Sequence, residues 1–427
     1  MSTENRAPVS TESSFHALPV EGALPDGLNG TLYRNGPNPI EQDQARHWFH
    51  GHGMVHAFAI GNGKIAYRNR WVRTQLWAKD TGADWAGLPG GVANTNIVAN
   101  AGALLALEEL HMPVMLDRAS LETLGTWNFH GELAEGPFTA HPKTCSVTGN
   151  LVFFGYGTDG YFGDTIRLGE ITGQGRLLGL DTIHAPYGGA MIHDFAVTEH
   201  FLAIPLFPLL LDEDAGGYVW KPERGAFLGI IDRAQGPDSL RWHPVNGGFA
   251  FHVANAWDEA GRLTIDLMLS EAPSMFPSTA EHAPASDASF LTRWELEPGT
   301  SSPVIAQRQL SHIDGEFPRL DERWAGRRNA HLFWTAGEAL CARNDLTGEE
   351  ALYRLEPGDT ASEPVFVPRG TGEGDGWLLS ILYRHATRSS DLAILDAQLL
   401  ADGPVALAKL PARVPDGFHG AWLGDVP

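Results

Sequence analysis

The chain has 427 residues, with 30 Lys+Arg against 52 Asp+Glu and a formal charge of −22, a balance that excludes nucleic acid as an expected partner. Hydrophobic residues make up 43% and charged residues 19%, which sets aside disorder and leaves material for a sizeable core. Two cysteines, Cys145 and Cys341, are too few for a disulfide framework or a cysteine-built zinc or iron–sulfur centre, and they point to a reducing, cytoplasmic setting.

The start, MSTENRAPVSTESSFHALP, has neither a basic leader region nor an apolar one, and no run of about 18 apolar residues follows that could span a bilayer. Residues 1–15 read as a polar, mobile segment, and 16–427 as one domain. From there short apolar or aromatic runs alternate with turn signals, and the 49 glycines and 28 prolines supply the punctuation. Helical periodicity is scarce; PGGVANTNIVANAG (89–102) is the best candidate for two or three turns. LVFFGY (151–156) after TGN, LTIDLML (263–269) after DEAGR and LLSILYRH (378–385) after GEGDGW each read as the return strand of a hairpin. IPLFPLLLD (204–212) is a short apolar run that fits either a core edge or a surface that touches membrane transiently. Many short strands in one chain suggest a sandwich, a large barrel or a propeller. Seven blades of four strands would take about 61 residues each, a comfortable allotment with loops.

With so few cysteines, any metal site must use imidazole and carboxylate. His141 in FTAHPK, His193 in AMIHDFAVTEH, His252 in FAFHVANAWDE and His419 in GFHGAW each sit at the edge of an apolar or small-residue run, where a buried ring must satisfy both nitrogens. Spacings of 52, 59 and 167, the last close to three blade lengths, suit one ligand per blade on a shared axis. Glu316 and Glu363 fall within the long gap, and Glu109 precedes His141. A denser local cluster, His47, His50, His52 and His56, could be taken for the H-x-H-x-x-x-H site of a zinc hydrolase. That motif wants an aspartate before its third histidine, and Val55 stands there.

From about residue 26 onward the sequence resembles the carotenoid cleavage oxygenases. NGTLYRNGPNP (29–39), HWFHGHGMVHAF (47–58), LLALEE (104–109), AHPK (140–143), IHDFAVTEH (192–200), FHVANAWDE (251–259), GEFPRLDERWAG (315–326), EPVFVPR (363–369) and FHGAW (418–422) are similar to that family's motifs and occur in its order. The resemblance implies an all-β fold, a seven-bladed β-propeller with a dome of loops and short helices over a central metal site. It implies non-haem Fe(II) on His141, His193, His252 and His419, with Glu109, Glu316 and Glu363 accepting the outer N–H of three of them. Such carboxylates fix ring direction and offset the ion's charge. The 204–212 run resembles the family's membrane-dipping segment at the tunnel mouth.

The implied reaction is O₂-dependent scission of a conjugated carbon–carbon double bond in a small hydrophobic alkene, giving two carbonyl products with no organic cofactor. Iron suits this better than zinc, whose closed d shell cannot activate oxygen. One branch of the family takes carotenoids or apocarotenoids. Another takes phenylpropenes or stilbenes, with a lysine just before the first glutamate to engage the phenol. Here that position is Glu108, which favours the polyene. In the same family the 47–58 stretch usually reads WFDGDGM, so His50 and His52 are departures. Cys145 reads as a small buried residue rather than a ligand. A non-enzymatic ligand-binding propeller is the rival from another functional class.

Overall fold

A computed structural model describes residues 4–40, 47–280, 286–300 and 305–424. Contacts divide the chain into two compact units: a terminal unit, Met1–Glu135 with Ala330–Pro427, and a mid-chain unit, Gly136–Asn329. The described residues form seven antiparallel sheets and a two-stranded ribbon, with a single seven-residue α-helix, Gln75–Thr81. Thr74 caps that helix by accepting from Trp77 N–H, and Gly82 at φ 75° ends it. No described helix is long and apolar enough to cross a membrane.

In the mid-chain unit each sheet is a meander. Leu151–Tyr156, Thr165–Ile171 and Leu177–His184 follow one another, as do Val253–Glu259, Arg262–Ser270 and Ser289–Leu296. Leu263, Ile265, Leu267, Leu228 and Trp294 are wholly buried in its core. Truncating Ile265 or Leu267 to Ala would cost roughly 2–5 kcal/mol. In the terminal unit the first long strand, Gly30–Pro37, pairs on one side with Gly53–Gly61 and on the other with Gly420–Gly424. Gly36 and Gly417 make that closure possible: a Cβ on Gly36 would lie 2.5 Å from the Gly417 Cα.

All three hairpin readings hold: Leu151–Tyr156 returns from Lys143–Thr144, Arg262–Ser270 from Val253–Glu259, and Gly376–Arg384 from Val365–Pro368. One other expectation is corrected. The helix over 89–102 is absent; Asn96–Asn100 is a strand, joined to Ala103–Leu107 through Ala101 and Gly102 at φ 51° and 79°. Ile97 and Val98 are β-branched, and two successive positive φ values make the tight hairpin that a helix cannot accommodate.

The 204–212 run belongs to the mid-chain core. Ile204, Leu206 and Leu209 are wholly buried, as the core-edge reading of this run requires. The described part of the polar N-terminal segment, 4–15, makes contacts with distant parts of the chain. Asn5, 3% exposed, donates to Val414 O and Asp416 Oδ1, and Ser14–Phe15 pairs with Lys64–Trp71. A polar sequence can be tied down by its backbone and amide groups without any apolar signal.

Candidate metal centre

The four candidate histidines occupy the same place in their sheets, just ahead of a first strand. His141 precedes Lys143–Thr144, His193 precedes Ala196–Val197, and His252 precedes Val253–Glu259; in the terminal unit His419 precedes Gly420–Gly424. Thr139 Oγ1 takes His141 N–H at 2.9 Å, and Met268 N–H donates to His252 O at 3.1 Å, fixing both backbones.

The mid-chain unit brings His141, His193 and His252 together. Their ring centroids are 4.5, 5.2 and 5.4 Å apart, and their ligand nitrogens lie within 4.8 Å of one another. His141 and His252 are buried and His193 half-buried. The Nε2 atoms of His141 and His193 face each other at 3.0 Å. Two nitrogens bound at roughly 2.1 Å and at right angles to one ion would stand about 3.0 Å apart, so this pair fits adjacent positions of an octahedral metal. The donor set, neutral imidazoles in a largely buried setting, suits a borderline divalent transition ion.

Two of the three expected carboxylate partners are seen on imidazoles. Glu316 Oε2 lies 2.6 Å from His252 Nδ1 and also takes Phe317 N–H at 3.1 Å, while Ser289 Oγ donates to Oε1 at 3.3 Å. In the terminal unit Glu363 Oε1 accepts His419 Nδ1–H at 2.8 Å, and Oε2 accepts Gly420 N–H at 2.7 Å. Each carboxylate places the ring proton on Nδ1 and so leaves Nε2 as the ligating nitrogen. Glu109 is half-buried in the turn after Ala103–Leu107.

Asp194 carries no role in the sequence reading beyond its place in IHDFAVTEH. Its buried carboxylate meets Lys143 Nζ at 2.7 Å, Phe195 N–H at 2.8 Å and Val253 N–H at 2.8 Å. An acid next to a candidate ligand was the available signal, but its partners come from distant segments that no local pattern reveals. Beside the trio a cavity is lined by Met191, Phe207, Phe249 and Phe251. Phe249 and Phe251 meet edge to face at 4.6 Å, and Phe251 meets His193 at 5.2 Å. These rings form an apolar, water-excluding wall next to the imidazoles.

The remaining candidates resolve as structural groups. His47 and His50 are exposed; His52 is buried with Nε2 3.1 Å from Asp80, and His56 is buried with Nδ1 2.8 Å from the Tyr67 hydroxyl. Among the described residues this cluster does not gather as a metal site, which removes the support for a zinc hydrolase. Cys145 is buried and takes an Arg233 N–H at 3.3 Å, so it packs and anchors rather than ligates. Glu108 hydrogen-bonds His111 Nδ1 and Leu110 N–H; that bond raises the His111 imidazole above its ordinary value, burial opposing it.

Seven antiparallel sheets with a histidine cluster backed by carboxylates define a class, the β-propeller metalloenzymes. The comparisons make it specific. The family model described as retinal pigment epithelial membrane protein, RPE65, matches residues 6–424, and the chain belongs to that family, the carotenoid cleavage oxygenases. It is 33% identical over 460 residues to isoeugenol monooxygenase of Pseudomonas nitroreducens, covering 97% of this chain and 96% of the relative. Its structure is similar to that of Pseudomonas brassicacearum lignostilbene dioxygenase, with a TM-score of 0.91 and 30% identity, covering 98% and 97% of the two chains. It also matches a cobalt-substituted Synechocystis ACO, with a TM-score of 0.89 and 29% identity, covering 99% and 98%. The fold is a seven-bladed β-propeller, the enzyme is an oxygenase of this family, and its histidine cluster is a non-haem metal site.

Proposed function

We propose that residues 16–427 act as one catalytic domain in which His141, His193, His252 and His419 hold a single Fe(II). Glu316, Glu363 and Glu109 are the outer carboxylates, and the reaction is O₂-dependent cleavage of a conjugated double bond into two carbonyl products without an organic cofactor. The observation that carries this reading is the mid-chain trio, with one Nε2 pair at 3.0 Å and the Nδ1 of His252 bound to Glu316. Bound iron supplies O₂ activation beside the alkene.

The protein's own groups hold and orient. Glu316 and Glu363 fix the tautomers of His252 and His419, so neither ring delivers a proton to the reacting atoms. Phe207, Phe249, Phe251 and Met191 give the site an apolar flank, and the alignment of the alkene beside it selects the bond. No side chain is required as acid or base. A cytoplasmic location is supported by the two free cysteines.

The substrate we assign is a carotenoid or apocarotenoid. At the position where the phenol-cleaving branch has its lysine, this chain has the Glu108 carboxylate, already engaged by His111 and Leu110, and a carboxylate cannot stabilise a phenolate. The likeness to isoeugenol monooxygenase and lignostilbene dioxygenase favours a second reading, a phenylpropene or stilbene substrate for the same chemistry. Metal analysis of protein purified without added metal tests the site: about one iron per chain is expected, and zinc or no metal in its place would overturn the Fe(II) assignment. Parallel assays with an apocarotenal, isoeugenol and a hydroxystilbene decide the substrate.

A further inference from the structure

We infer that Asp194 is a positioning residue that locks the three mid-chain ligand segments to one another, a role that rests on the metal reading above. The residue is 5% exposed and lies next to His193. Oδ1 accepts from Phe195 N–H at 2.8 Å and from Lys143 Nζ at 2.7 Å, two residues beyond His141. Oδ2 accepts from Val253 N–H at 2.8 Å, the residue directly after His252. One carboxylate therefore reaches into the segment of every mid-chain imidazole.

Three donors on two oxygens require a carboxylate. An asparagine offers one acceptor oxygen, and its amide N–H would face either Val253 N–H or the Lys143 ammonium, donor against donor. Burial makes such an unmet pair costly, so the contact on one side would open. Lys143 compensates the buried negative charge, and its side chain remains 28% exposed, so it pairs without being fully stripped of water. Opening either contact frees His141 or His252 to swing relative to His193. The Nε2 spacing of 3.0 Å between His141 and His193 is the quantity that this clamp protects.

The test uses the full-length protein, stripped by chelator and titrated with Co(II), comparing wild type with Asp194→Asn and Lys143→Met. Equilibrium dialysis reads the affinity, and visible d–d absorption reads the ligand geometry. Asp194→Asn is expected to bind Co(II) at least about 10-fold more weakly with a shifted absorption band, while its metal-free circular dichroism stays that of wild type. Lys143→Met keeps both backbone contacts and is expected to show the same band shift with a smaller loss. A wild type that takes up no Co(II) defeats the metal reading itself. A wild type that binds, with Asp194→Asn matching it in affinity and spectrum, overturns the positioning role, as does a variant that only melts lower with its spectrum unchanged. If Asp194→Asn fails to fold, Lys143→Met decides on the same two readouts.

Discussion

Each of the two units fixes one imidazole by the same bond, in different surroundings. In the terminal unit the Glu363 side chain is 2% exposed, and its two oxygens take the His419 ring and the neighbouring Gly420 N–H. In the mid-chain unit the Glu316 side chain is 20% exposed and shares its oxygens among His252, Phe317 N–H and Ser289. Where Glu363 fails, water has little access to replace it; where Glu316 fails, water and Asp194 nearby still steady the segment. The pairing is common to both, and the cost of losing it depends on burial.

Substitutions can break that contrast. The largest effect is expected from His252→Ala, which removes a ligand outright: O₂-dependent cleavage and bound iron should both vanish while circular dichroism is unchanged. Retained turnover would refute the ligand assignment. Glu363→Gln comes next, with metal affinity falling by roughly 100-fold, the upper end of what an outer carboxylate contributes. Glu316→Gln should cost about 10-fold, the lower end. Equal losses on dialysis would show that burial does not set the difference.

Smaller effects lie away from the imidazoles. Asn5→Ala strips a buried partner from Asp416, whose carboxyl burial already raises above the ordinary range, the Asn5 amide opposing; stability should fall by about 1–3 kcal/mol, read as a lower Tm. Near neutral pH the smallest effect is at His56, which acts only in acid. Burial, aided by Arg34 and Arg413, pushes this imidazole down to about 3, so below its ordinary 6.5 the unfolded chain binds a proton that the folded chain refuses. Stability from this group is complete above 6.5 and is lost as pH falls toward 3. A His56→Phe variant should show a shallower decline over that window in urea titrations, and an unchanged slope would contradict the neutral, buried assignment.

Much of the site could be read from the sequence because each candidate ligand carries its own local motif. AHPK, IHDFAVTEH, FHVANAWDE and FHGAW put a histidine just before an inner strand, and alternation plus turn residues marked the strands themselves. What escaped depended on distant partners. Asp194 looks like any acid beside a turn until Lys143 and Val253 arrive from other sheets. Residues 89–102 misled because alanines and spaced apolar side chains mimic a helical stripe, whereas the left-handed pair Ala101–Gly102 decides for a hairpin. The 204–212 run was ambiguous because a buried strand and a membrane-facing loop share one composition; only burial separates them. Asn5 gave no signal, since its partners lie some 400 residues away along the chain.

That last distance bears on how the protein comes together. Gly30–Pro37 finds Gly420–Gly424 across almost the whole sequence, whereas the segments of His141, His193 and His252 lie within 111 residues of one another. Closing the longer loop carries the larger entropic penalty and slows the step. In refolding, that pairing of the two chain ends is expected to form later than the sheets whose strands follow one another in sequence.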